Sequence, residues 1–135
     1  MRSLDERVER QVVRFLQLLF EGKISDAERM IEGMEKRSRG TELNGYVTVL
    51  KGILLSYTTD DRTSLLHRVY SSDDPKKELE SFVRAMAETD LSFDDSRSPV
   101  VEVWEVILRN FDKLPTPHRF RGAQEEKQQR LDQTG

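Results

Sequence analysis

The stretch TELNGYVTVLKGILLSY, residues 41–57, carries only two charges, Glu42 and Lys51, in a chain where 35 % of residues are charged. At about 100° per residue, Leu43, Tyr46, Val47, Leu50, Ile53, Leu54 and Tyr57 fall on one stripe roughly 120° wide, the apolar face of a core-facing helix. On the other side Gly45, Val49, Gly52 and Ser56 recur at spacings of four, three and four. A glycine inside a helix costs about 1 kcal/mol relative to alanine, so two on one face suggest that another helix approaches closely there. The stretch therefore reads as a central helix packed on two sides. Helix one or helix five of the same chain is expected to fill the small-residue groove in preference to a second copy, which makes a monomer the expected state.

Upstream, Ser3 and Glu6 have capping-box spacing and open a helix to about residue 21, with Gly22 as its left-handed stop. Leu4, Val8, Val12, Phe15 and Leu19 form its stripe, and its second half is apolar almost all round, as a core helix is. Ser25 and Glu28 repeat the capping-box spacing ahead of Ala27, Met30, Ile31 and Met34. The link 22–24 is short enough only for a helical hairpin. Lys36, Arg37 and Arg39 complement the negative end of this second helix.

Downstream, residues 58–61 offer caps for a short fourth helix with Leu65, Leu66, Val69 and Tyr70. Asp74 and Pro75 open a fifth helix, residues 75–89, and Ser98 and Pro99 a sixth, to about residue 114. The sixth shows Val100, Val103, Trp104, Ile107, Leu108 and Phe111 on one face, with Glu102, Glu105 and Arg109 on the other. In the loop between them Phe93 is expected to tuck onto the core. From Pro115 apolar periodicity stops while Pro and Gln accumulate, a composition that offsets little ordering entropy. The expectation is an all-α domain, residues 1–114, of about six helices in three antiparallel hairpins, either tetratricopeptide-like or an irregular bundle. A flexible tail, residues 115–135, with a nascent helix at 124–131, is expected to follow.

Sliding the chain by 35 positions superposes Val8 on Leu43, Val12 on Val47, Phe15 on Leu50, Leu19 on Leu54 and Ile31 on Leu66. That offset is close to the tetratricopeptide period of about 34 residues. The run LLFEGKISDAERMIEGM resembles the turn and second helix of such a repeat, with a Gly at the bend and the pair Asp26 and Ala27 after it. The resemblance covers residues 8–70. The second unit departs from it, with Tyr57 at the bend position and Arg62 in place of Ala27, and no Pro closes either unit. What the class implies is a right-handed stack of hairpins whose concave face holds a peptide or a partner helix.

The chemistry of the side chains narrows function mainly by exclusion. The chain has no Cys, so disulfides and thiolate sites are impossible, and its net charge of -3 exerts no global pull on nucleic acid. No run approaches the roughly 18 apolar residues of a membrane span, and MRSLDERVERQ lacks the apolar core of a signal peptide, so a cytoplasmic protein without membrane association is expected. His67 and His118 lack metal-ligand spacing. The acid pairs Asp60–Asp61, Asp73–Asp74 and Asp94–Asp95 stand where helices begin, as capping selects. No catalytic, metal or cofactor residue is therefore assigned, and only a cleft gathering Asp60, Asp61 and His67 would point to an enzyme. Two basic features remain: a ridge of Arg7, Arg10 and Arg14, with Asp5, Glu6 and Glu9 beside it, and the cluster His118, Arg119, Phe120 and Arg121. The expected function is a non-enzymatic interaction module for a peptide or partner protein, with Gly45, Gly52 and Ser56 as the docking groove. The alternative is a nucleic-acid-associated subunit of a ribonucleoprotein, using the two basic features.

Overall fold

Helices α1 (Glu6–Phe20) and α2 (Ile24–Ser38) are joined by the left-handed turn that Gly22 makes possible, at φ +86°. The Gly22 amide donates to the Leu19 carbonyl (3.1 Å) and the Lys23 amide to that of Leu18 (2.9 Å), which satisfies the last carbonyls of α1. Because the reversal is this short, α2 starts at Ile24 with Lys23 as its cap. Ser25 thus lies inside the helix, and the capping box expected from Ser25 and Glu28 does not form. The structure, a computed structural model, describes residues 6–41, 43–89 and 98–120. The expectations for Ser3, Leu4, Phe93, Arg121 and the 124–131 helix lie outside the described residues.

Helix α3 (Leu43–Thr58) is followed by α4 (Leu65–Ser71), α5 (Pro75–Glu88), α6 (Pro99–Arg109) and the 3-10 turns Phe111–Lys113 and His118–Phe120. The fold is all-α, with no strand among the described residues. Asp74 and Ser98 cap α5 and α6 as their sequences dictate, accepting from the amides of Lys77 (3.3 Å) and Val101 (3.5 Å). The cap of α4 is Ser64, which accepts from His67 N (3.2 Å), and not a residue of 58–61. Asp61 instead folds onto Thr63, while Asp60 adopts φ +54° and ends α3 as Gly22 ends α1. This stop lies three residues beyond Tyr57, the position that the 35-residue offset assigns to it.

Two of the three expected pairs pack directly, α1 with α2 and α5 with α6. The middle one differs, because α3 takes α2 and α6 as its main neighbours while α4 packs on α5. Since α6 also reaches α1, the helices close on one another as an irregular bundle. The core runs through this closure: Phe15, Leu16, Leu19 and Phe20 of α1, Leu50 and Ile53 of α3, and Val103, Trp104 and Ile107 of α6 are buried together. Leu54, expected among them, is only partly buried, because it stands at the edge of the face that α3 turns to its two neighbours. Val100 and Glu102 exchange their expected roles. Val100 is 45 % exposed, whereas Glu102 is 8 % exposed and accepts a short hydrogen bond from the Tyr46 hydroxyl across the α3–α6 contact.

The domain also continues past residue 114. Pro117 is fully buried, and residues 118–120 pack back onto α3 and α4, so the expected change to a tail does not fall at Pro115. Burial pushes the nearby Tyr70 phenol well above the ordinary tyrosine value, with Tyr57 adding to the shift. A group raised in the folded state contributes its stability fully below the unfolded value and loses it as pH rises towards the folded one. Stability is therefore expected to fall from about pH 10 upward. In Tyr70→Phe that alkaline loss should be smaller than in the wild type when urea unfolding is compared at neutral and alkaline pH. An equal loss in both would show that Tyr70 is not sequestered.

Among the exposed ion pairs, Lys51 Nζ meets Glu35 Oε2 at 2.8 Å across α3 and α2. The hydrogen bond from Lys51, with its charge acting in the same direction, holds the Glu35 carboxyl below its usual range. A carboxylate depressed in this way stabilises the fold above its unfolded value, and the contribution is lost as pH falls through the folded value. Lys51→Met is expected to move the Glu35 midpoint upward in a carboxyl NMR titration. An unchanged midpoint would remove the bridge.

Candidate functional site

At one end of the first three helices the core stops short of the surface. Arg7, Val8 and Gln11 of α1, Met34, Arg37 and Ser38 of α2, and Leu43, Tyr46 and Val47 of α3 enclose a half-open cup of about 340 Å³. Its floor is apolar, with Val8, Met34 and Val47 all buried. The gap has a local cause. Ser38 occupies a position on the inward stripe of α2, after Ile31 and Met34, yet its short side chain bends back to the Glu35 carbonyl (3.1 Å). Thr41 then closes the α2–α3 turn by donating to the Ser38 carbonyl (2.6 Å), and Gly40 supplies the reversal at φ +72°. Tyr46 forms a wall of the cup, held there by its hydroxyl bond to Glu102.

Among the described residues, the lining holds two guanidinium groups, Arg7 and Arg37, and no carboxylate, and Arg7 is itself engaged in an interaction. Two acids of the same helices are engaged elsewhere: Glu9 accepts from Arg109 of α6 (Nε, 3.1 Å), and Glu35 pairs with Lys51. Arg14 follows Arg7 by two turns and stands on nearly the same face of α1, while Arg10 lies to one side. All three of these arginines are exposed.

The second basic feature does something different. His118 lies over Gly22, where an added Cβ would meet its ring at 3.3 Å. The Tyr57 hydroxyl stands 2.5 Å from His118 Nδ1 and accepts from the Arg119 amide (3.3 Å). The Arg119 side chain donates to the Thr58 carbonyl (3.4 Å), and its charge faces Asp60 at 3.8 Å. Phe120 packs on Tyr70 and His67, with ring centroids 5.7 and 5.5 Å away. Arg119 and Phe120 therefore clasp the end of the chain's described part onto α3 and α4. Asp60, Asp61 and His67 do meet beside this clasp, in a depression of about 10 Å³, which holds about one water molecule. Each has a partner already: Arg119 for Asp60, Thr63 for Asp61 and Ser71 for His67.

The small-residue groove divides. At Gly45 a Cβ would stand 2.8 Å from Pro99 Cγ, so the start of α6 fills this end, where helix one or five was expected. Gly52 has nothing within 4 Å, and Ser56 turns its hydroxyl to the Ile53 carbonyl (3.0 Å). Arg37 is not marked by the sequence as a lining residue, because at the end of a helix a basic run is accounted for by the dipole alone, and Gln11 and Met34 fit the ordinary polar and apolar pattern of their helices. The available signal was Ser38, a small polar residue on an apolar stripe.

Fold and site define an all-α domain with an apolar, arginine-edged cup at one end of its first three helices. No protein-family model, curated protein or solved structure matches the chain. No helix among the described residues is long and apolar enough to cross a membrane.

Proposed function

We propose that the chain is a non-enzymatic interaction module that docks a segment of a partner protein in the cup between α1, α2 and α3. The observation that carries this reading is the half-open apolar cup of about 340 Å³, a size at the lower end of ligand pockets. We take the module to act as a monomer in the cytosol, a compartment that suits a chain without Cys. The alternative, nucleic-acid association, keeps Arg7, Arg10 and Arg14 but loses strength where Arg119 is turned to Asp60 and Thr58.

Two variants of α3 test the proposal. Leu43 at the cup's edge is 39 % exposed and Leu55, away from it, 64 %, so glutamate at either position leaves the core intact. A protein captured from the native cell by the wild type and by Leu55→Glu is expected to be lost from Leu43→Glu. Capture that survives Leu43→Glu overturns the cup as the docking site. Retained RNA binding at physiological salt, with a steep salt dependence, would favour the alternative.

A further inference from the structure

We infer that Thr116 is a phosphorylation site for a protein kinase that selects a proline directly after the acceptor and a basic residue at the third position, and that phosphate there lifts residues 117–120 off α3 and α4. The site is independent of the cup. The run Pro115-Thr116-Pro117-His118-Arg119 carries the first half of the argument. Thr116 stands between two prolines in a stretch without helix, and the residue before a proline is held extended by the clash with its ring. A kinase cleft binds its substrate extended, so the threonine already has the required shape, and Pro117 brings no amide that the cleft has to satisfy. Arg119 supplies the positive charge. The chain's other hydroxyl residue followed by proline, Ser98, has Val101 at the third position and uses its hydroxyl to cap α6.

The second half is the coupling between the site and the packing of residues 117–120. Pro117 is fully buried, and Thr116 is half-buried and engaged in an interaction, so a kinase reaches the run when this strap is lifted. The charged part of the strap is weakly held. Arg119 reaches the Thr58 carbonyl at 3.4 Å and Asp60 at 3.8 Å, long contacts at an exposed position, of a kind that contributes little. A phosphate carries a charge of about -1.5 to -2 at pH 7 and three acceptor oxygens. On Thr116 it competes with Asp60 for the same guanidinium, and in the lifted strap it can bind that group through two parallel hydrogen bonds. In the transfer itself, Thr116 Oγ1 attacks the γ-phosphorus of ATP, the new O–P bond forms as the bond to the β-phosphate oxygen breaks, ADP leaves, and the hydroxyl proton passes to the kinase's base.

The test incubates the intact chain with ATP and a purified cyclin-dependent kinase, alongside Thr116→Ala and Phe120→Ala. Peptide mass spectrometry locates the phosphate, and amide exchange is read before the reaction, after it, and again after phosphatase treatment. Phosphate is expected on Thr116 and to be absent from Thr116→Ala. Incorporation should be about tenfold faster in Phe120→Ala, because a strap without the ring that packs on Tyr70 and His67 lifts more often. Added to Phe120→Ala, where the strap is already loosened, Arg119→Gln should slow incorporation about tenfold through loss of the base. The Arg119 and Phe120 amides, bonded to the Tyr57 hydroxyl and the Pro117 carbonyl, are expected to exchange about tenfold faster in the phosphorylated chain and to recover after phosphatase. No phosphate on Thr116 even in Phe120→Ala, or phosphate on Ser98 in its place, overturns the site. Equal incorporation in Phe120→Ala and the wild type, or exchange that phosphate leaves unchanged, overturns the coupling to the strap. Capture by the cup is a separate readout that none of these outcomes touches.

Discussion

Phe20→Ala is expected to lower the free energy of unfolding by about 3–5 kcal/mol, one of the two largest effects foreseen for a single substitution in this chain. Phe20 is fully buried at the end of α1, where its ring lies 6.3 Å from that of Tyr57 and meets Tyr70 edge-on at 5.9 Å. Those two rings carry the next layer. Tyr57 holds His118 and the Arg119 amide, and Tyr70 stacks on Phe111 and tilts against Phe120. Removing Phe20 leaves a cavity bounded by rigid rings from several elements, which close over it only in part, so the cost belongs at the upper end of the large-to-small range. Domains of this kind are stable by about 5–15 kcal/mol in total, so the variant stands near the edge of folding. Urea unfolding checks this, read as a lower midpoint with the slope kept. A loss under about 1 kcal/mol would mean that the aromatic cluster is not packed as described. Tyr57→Phe, which removes only the hydroxyl, is expected to cost about 0.5–1.5 kcal/mol and to loosen residues 117–120 before the rest, seen as faster amide exchange there.

What could be read from the sequence follows the range of the forces involved. Gly22, Asp74 with Pro75, and Ser98 with Pro99 announce helix ends through local backbone and cap chemistry, and the structure uses each of them. The enclosed second half of α1 was legible for a related reason, since a helix apolar all round has to be surrounded. Residues whose role depends on a distant partner were not legible. Glu102 follows a polar pattern along α6 yet is buried, because Tyr46, far away in the chain, supplies its hydrogen bond. Arg119 and Phe120 sit in a stretch whose composition argues against order, and it is Gly22, Tyr57 and Tyr70 that provide their packing surface. Asp60 takes a left-handed conformation that glycine usually takes, so a search for a bend glycine passes over it. The cup was invisible for the same reason: its floor is drawn from three helices, and only Ser38 marks locally that the core is left unfilled there.

The sharpest case is the pair Gly45 and Gly52, alike in sequence context and opposite in surroundings. Gly45→Leu is expected to destabilise by at least about 1–3 kcal/mol, the usual range for overpacking. The atom in its way, Pro99 Cγ at 2.8 Å, belongs to a ring fixed to the backbone at the first turn of α6, so it has no rotamer by which to yield. Relief requires α6 to move off α3, and that movement also pulls Glu102 from Tyr46, one residue further along α3. Gly52→Leu meets open space, and replacing an exposed helix-interior glycine with a good helix former gains up to about 1 kcal/mol. The two variants should therefore melt on opposite sides of the wild type, several degrees apart, with α3 helical in both. A wild-type melting temperature for Gly45→Leu would show that α6 does not approach α3 at this point. Destabilisation by Gly52→Leu, or a change of native mass in that variant alone, would show that this face of α3 is covered by another surface, and would return the second half of the groove to the list of docking sites.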